Sequence, residues 1–253
     1  MKSEFLSDRE IRILTRQIQL PEVGLAGQEK LKKARVLVIG AGGKGSSALQ
    51  DLVTAGTGFI GISDNYIVEE SSLPQQSLYG ERDIGKQKAI ITRERLLEPG
   101  RTTVFTLHNI CLSETNILEI IKSYDIILDA TDNFPAHYLI NDATIIAGKP
   151  LVYGSVVHNR GLVSVFNLPG GPSLRCLYPH LPRHDEKVSD RGIPALGLLY
   201  HITGTIMAGE TIRIILGLPT LSGNLLHFTM DPYAFSFETI IRNEENFKIK
   251  NFG

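Results

Sequence analysis

The 253-residue chain has no tryptophan, two cysteines and three methionines. Cys111 and Cys176 lie far apart and form no Cys-x-x-Cys pair. No disulfide framework or thiolate metal cluster is therefore written into the sequence, which fits a reducing compartment. An excess of one charge is missing too: 26 Lys and Arg face 27 Asp and Glu, for a net charge of -1. Nucleic-acid binding lacks its basic surplus, and a solvating acidic tail is absent. No apolar run approaches the roughly 20 residues needed to cross a bilayer. The start, MKSEFLSDREIRILTRQ, is charged and has no apolar signal core, so no membrane and a cytoplasmic location are expected. Internal repeats, low-complexity tracts and Pro/Ser-rich linkers are also missing, which argues for one large domain over residues 1–253.

What is present is a regular alternation. The 42% of hydrophobic residues can build a sizeable core. Residues 7–20 predict a polar helix, 35–39 a buried strand, 44–56 a helix and 58–64 a second strand ending in an acid. A turn-rich loop at 65–84 leads to a helix at 85–98, stopped by Pro99-Gly100, and then a strand near 103–108. A short helix at 115–122, a doubly buried strand at 124–129 and a helix at 134–147 repeat the pattern. Strands alternating with helices predict an α/β fold, a Rossmann-like doubly wound, mostly parallel sheet. Beyond residue 150 the texture is β-rich, at 151–157, 161–167, 225–230 and 235–241, which predicts a mixed or antiparallel C-terminal extension. A Pro/His/charge-rich loop at 169–192 precedes a long apolar, glycine-dotted helix. The chain thus divides into a helical arm (1–34), a nucleotide-binding half (35–150) and a β-rich half (151–253).

Four motifs carry chemistry. In RVLVIGAGGKGSS, Gly40, Gly42 and Gly45 form a Gly-x-Gly-x-x-Gly between strand and helix, and Asp64 closes the next strand. Glycines let the backbone approach phosphates, the helix start offers N–H donors, and the acid accepts from a ribose hydroxyl. This pattern points to a nucleotide and leaves open which one; NAD is an alternative. Lys44 within the loop has two readings, an ordinary solvated side chain and a phosphate contact, and the solvated one is favoured. The second motif, Asp129-Ala130-Thr131-Asp132-Asn133, follows the apolar strand and faces the same crevice. A carboxylate beside phosphates suggests Mg²⁺, which takes one or two carboxylates plus phosphate oxygens. The segment also has the composition of a helix cap, with Asp132 or Asn133 as N-cap. For Asp129 the structural and functional readings stand level, whereas Asp132 favours function. Arg16 before the first strand, and Lys88 in Gly85-Lys86-Gln87-Lys88, are weak signals alone.

Taken together, the stretches RQIQLPEVGLAGQEKLKKARVLVIGAGGKG, ISD, SSLPQQ, GKQK, DATDN and LRCLYP resemble the MoeB/ThiF family, bacterial relatives of ubiquitin-activating enzymes. The resemblance runs from residue 16 to about 217. It implies adenylation of the C-terminal glycine carboxylate of a small ubiquitin-like sulfur carrier protein, or a peptide, with release of pyrophosphate from ATP. It also implies that Gly40, Gly42, Gly43, Gly45, Ser72, Gln75, Gln76 and Asn133 surround the nucleotide while Asp64 holds the ribose. Lys88 and Arg16 would contact phosphates and Asp132 would carry Mg²⁺. Arg16 would reach into a neighbouring subunit, implying a homodimer, and the β-rich half would bind the carrier.

Three departures matter. The family's SNLxRQ is here Ser71-Ser72-Leu73-Pro74-Gln75-Gln76, so neutral Gln75 replaces an arginine and Ser72 an asparagine. Loss of a charge-assisted contact weakens ATP binding or transition-state stabilisation and raises an alternative, an inactive nucleotide- or carrier-binding partner protein. The zinc-binding Cys-x-x-Cys pairs are reduced to Cys176, so no zinc is expected; a site from Cys176, His180 and His184 is the minor alternative. Where some relatives carry a cysteine in the crossover loop, the region KVSDRGIPA here has only Val188 and Ser189, so the reaction is expected to stop at the acyl-adenylate.

Overall fold

The computed structural model describes residues 3–97, 102–180, 194–250 and 252. The chain starts with three helices, α1 (Asp8–Ile13), α2 (Thr15–Ile18) and α3 (Gly24–Lys33). The single helix expected over 7–20 is interrupted at Leu14, whose φ of -93° and ψ of 8° lie outside the helical basin. α3 was not expected as a separate helix, because two glycines thin its apolar stripe to a buried face of Gly27, Gln28 and Leu31.

Then the alternation begins. It runs β1 (Arg35–Ile39), α4 (Gly43–Thr54), β2 (Phe59–Ser63), α5 (Lys88–Leu96), β3 (Val104–His108), α6 (Ile117–Lys122), β4 (Ile126–Asp129) and α7 (Phe134–Ala147). β5 (Leu151–Val157) and β6 (Arg160–Phe166) follow, then α8 (Leu174–Leu177), the 20-residue α9 (Gly197–Leu216), β7 (Asn224–Met230) and β8 (Tyr233–Thr239). The expected loop at 65–84 contains two 3-10 turns, Glu70–Gln75 and Glu81–Asp83. The expected helix at 85–98 starts only at Lys88, since Gly85 has φ +81° and Gln87 is extended.

One sheet holds the eight described strands in the order β3-β2-β1-β4-β5-β6-β7-β8. Pairing is parallel from β3 to β5 and antiparallel from β5 to β8. This is the Rossmann-like α/β architecture with an antiparallel C-terminal extension. β1 lies centrally, with Val38 beside Ile62 on one side and Leu128 on the other. Val36, Leu37 and Val38 are fully buried, as expected for a parallel strand covered on both faces. The order reverses between β1 and β4, so loops leaving their carboxyl ends diverge and open a crevice.

Helix α9 explains its own glycines. A Cβ on Gly204 would come within 2.2 Å of the Lys44 carbonyl oxygen, so only glycine allows α9 to cross α4 this closely. Gly217 ends the helix in the left-handed region at φ +76°. No described helix is long and apolar enough to cross a membrane.

Candidate functional site

A cavity of about 590 Å³ opens at the carboxyl ends of β1, β2 and β4. The glycine loop forms its floor. Gly40 has φ +94°, and a Cβ there would lie 2.8 Å from the Ala130 carbonyl oxygen. Gly42 caps α4 and faces open space, with only Gln76 Nε2 at 3.9 Å from a Cβ built on it. Gly43 is hemmed in, since its Cβ would lie 2.5 Å from the Gln75 carbonyl oxygen. All three line the cavity, whereas Gly45 does not. A Cβ on Gly45 would overlap the Gly40 carbonyl oxygen at 1.7 Å, so its task is close packing of α4 on the strand end.

Asp64 follows β2 and is buried. Its Oδ2 accepts the Ala41 N–H at 2.7 Å and its Oδ1 the Tyr66 N–H at 2.8 Å. Burial pushes this carboxyl above the usual range, against those two amides and the charge of Lys88. Tyr79 supports the same loop from below, donating to the Ala41 carbonyl at 2.6 Å.

The 3-10 turn Glu70–Gln75 brings Ser72 and Gln75 to the wall, with Gln76 just after it. Gln76 is 6% exposed, and its Oε1 has no hydrogen-bond partner among the described residues. A buried acceptor left unpaired is costly unless a water or a bound molecule supplies the donor. Lys88 also lines the cavity, as the first residue of α5. Cations are disfavoured at helix starts, so this lysine adds its charge to an end that already attracts anions.

The segment after β4 separates into distinct roles. Asp129 is fully buried and absent from the cavity wall: its Oδ2 lies 2.7 Å from His137 Nδ1, and Oδ1 accepts from Thr131 N–H and Oγ1 at 3.0 and 2.6 Å. Burial alone would raise its carboxyl, but His137 and the Thr131 hydrogen bonds hold it below the usual range. Its role is structural. Asn133 is the N-cap of α7, accepting the Ala136 N–H at 2.9 Å, and this settles which residue caps the helix. Asp132 and Asn133 both line the cavity.

One expectation changes here. Lys44 is no solvated side chain; it is 3% exposed, with Nζ donating to the Thr131 and Gly154 carbonyls at 2.6 and 2.9 Å. Arg16 lies exposed on α2, outside the cavity wall. The sequence reading also missed an apolar wall of Ile110, Leu112, Leu139 and Ile140, together with Tyr200 from α9. Its only advance signal is the i, i+4 spacing of Pro135 and Leu139 and of Ala136 and Ile140 on α7.

Both cysteines are free thiols, and Cys111 stands exposed at the cavity. Cys176 accepts from Asn243 N–H at 3.3 Å, and from Ser173 N–H and Asn246 Nδ2 at 3.4 Å. Burial would raise this thiol, yet the hydrogen bonds bring it below the usual range. His184 and the Val188–Ser189 segment lie outside the described residues.

Residues 14–247 match the ThiF family. The sulfur carrier protein adenylyltransferase of Thermus thermophilus is 40% identical over 234 residues, covering 90% of this chain and 86% of that protein. The probable adenylyltransferase/sulfurtransferase MoeZ of Mycobacterium tuberculosis is 40% identical over 240 residues, covering 93% of this chain but 61% of its own length. Among solved structures, E. coli MccB with MccA-N7isoASN aligns with a TM-score of 0.81 over 96% of this chain and 75% of that one, at 20% identity. The same protein with ATP gives 0.79, at 21% identity over 96% and 74%. The structural likeness is one of fold. A family match spanning nearly the whole chain, with relatives at 40% identity, makes the assignment: the chain belongs to the ThiF family.

Proposed function

We propose that this chain is an ATP-dependent adenylyltransferase that activates the C-terminal glycine carboxylate of a small ubiquitin-like sulfur carrier protein or a peptide. The observation that carries the reading is the meeting of Lys88 and Asp132 in the cavity floored by the glycine loop. Hydride transfer needs no metal-binding acid beside the pyrophosphate, whereas attack of one anion on another needs cations at the reacting phosphate. The name of the Thermus relative and the MccA complex of MccB support the substrate class.

The step requires no proton transfer. A carboxylate oxygen of the terminal glycine attacks the α-phosphorus, the bond to the β-bridging oxygen breaks, and pyrophosphate leaves. Asp64, fixed by two amides, would accept from the ribose hydroxyls. Glycine-loop N–H groups and Lys88 would neutralise phosphate charge, while the apolar wall at Ile110, Leu112 and Leu139 would hold the base. Mg²⁺ would add charge neutralisation at the phosphates. Asp132 fits its preference for a single carboxylate plus phosphate oxygens, and no cluster of three His, Cys, Asp or Glu forms a protein cage among the described residues.

Arg16 completes the proposal from a second copy. It is exposed on α2 between exposed Ile13 and Leu20, a suitable surface for a homodimer in which it enters the partner's cavity. The β-rich half would receive the carrier, where β8 exposes Tyr233, Phe235 and Phe237. Two free thiols suit a cytoplasmic setting. A second reading, a partner protein that binds nucleotide without turning it over, is favoured by Gln75 alone.

Separate calorimetric titrations with ATP and with NAD test the nucleotide. ATP with Mg²⁺ is expected to bind at least about tenfold more tightly, because the polyphosphate meets Lys88 and the metal. Tighter binding of NAD would overturn the adenylation reading.

A further inference from the structure

Lys44 is the buried cation of the glycine loop. Its partners are the carbonyls of Thr131, beyond the end of β4, and of Gly154, within β5. One side chain from the first turn of α4 therefore ties the glycine loop to two neighbouring strands of the sheet. Taking an ammonium out of water costs several kcal/mol before compensation. An apolar side chain would fill the same space without that cost, so packing alone does not account for a lysine.

The charges on the cavity wall supply the reason. Asp64, Glu69 and Asp132 line it, against Lys44 and Lys88. Among the described residues of one chain, a neutral residue at 44 would leave three carboxylates facing one ammonium, a field opposed to a polyphosphate. Gln75 brings no charge to this wall.

We propose that Lys44 is a cation built into the phosphate cradle, a specificity-determining residue that makes the cavity prefer nucleotide polyphosphates. Through Thr131 it also holds in place the turn that carries Asp132. The inference rests on the adenylation reading and deepens it. Lys44 acts from within the wall through its field and its carbonyl contacts, so it is a positioning residue and takes no part in bond making.

The test is calorimetry on the full chain with ATP and, separately, adenosine, which lacks the phosphates. Lys44→Met removes the charge at similar length, and Lys44→Gln removes it while keeping an N–H donor for a carbonyl. Wild type is expected to bind ATP more tightly than adenosine. Both variants are expected to lose about tenfold or more in ATP affinity with little change for adenosine. Should Lys44→Met fail to fold, as judged by its thermal transition, Lys44→Gln decides alone. Equal losses for both ligands, or an unchanged preference for ATP, would reduce Lys44 to a structural tie and overturn the inference alone. Wild type that binds neither ligand would overturn the adenylation reading itself.

Discussion

Gln75 presents a neutral amide to a cavity whose cationic side chains, among the described residues, are Lys44 and Lys88. Its backbone is fixed tightly, since its carbonyl oxygen and Cα crowd the positions of Gly43 and Gly197. The side chain can therefore change while the turn stays in place. Gln75→Arg is expected to raise carrier-dependent pyrophosphate exchange by about tenfold, through one added charge-assisted contact to phosphate. A rate that stays at zero in both proteins would favour the non-catalytic reading. The same scale shows what local sequence conceals. The glycines and Asp64 were legible because strand, turn and acid follow one another within a short stretch. Lys44 was not, because its carbonyl partners lie 87 and 110 residues away. A lysine between two glycines looks solvated until the sheet brings those strands beside it.

At the scale of elements, one carboxylate links two helices of the N-terminal arm to the segment ahead of β3. Glu10 completes a capping box with Ser7 in α1. It also pairs with Lys32 of α3 at 2.7 Å and accepts from Thr102 ahead of β3. Burial would raise its carboxyl, but the Lys32 ammonium and the hydrogen bonds from Thr102 and Ser7 lower it from 4.5 to about 2. A lowered value means that this contribution is complete above pH 4.5 and fades as pH falls towards 2. Glu10→Gln should therefore cost about 1–3 kcal/mol at pH 7, with the difference from wild type shrinking through that acid window. Denaturant melts at a series of pH values check this; a difference constant with pH would contradict it. The strands and most helices were legible from apolar runs and stop signals. α3 was not, because glycine and glutamine occupy its buried face. The late start of α5 was also hidden, since the left-handed Gly85 and the bridge that holds Gln87 extended beside Ile67 delay it.

For the molecule as a whole, the parallel half of the sheet builds the nucleotide cavity, and the antiparallel half carries an edge strand exposed along its length. The first was legible because ligand sites in such sheets lie where the strand order reverses. The apolar wall was not, since Ile110, Leu112 and Leu139 look like core residues until the fold places them beside the opening. Arg16 belongs to this scale, because the proposed site needs a second copy of the chain to supply it. Pyrophosphate exchange addresses the central claim most directly, using the full chain with ATP, Mg²⁺ and a carrier ending in Gly-Gly. Wild type should carry label into ATP, Asp132→Ala and Arg16→Ala should each lower the rate by about 100-fold or more, and mixing the two variants should restore part of it. Absence of exchange in wild type with every Gly-Gly carrier encoded near its gene, or full exchange in Asp132→Ala, would contradict the account.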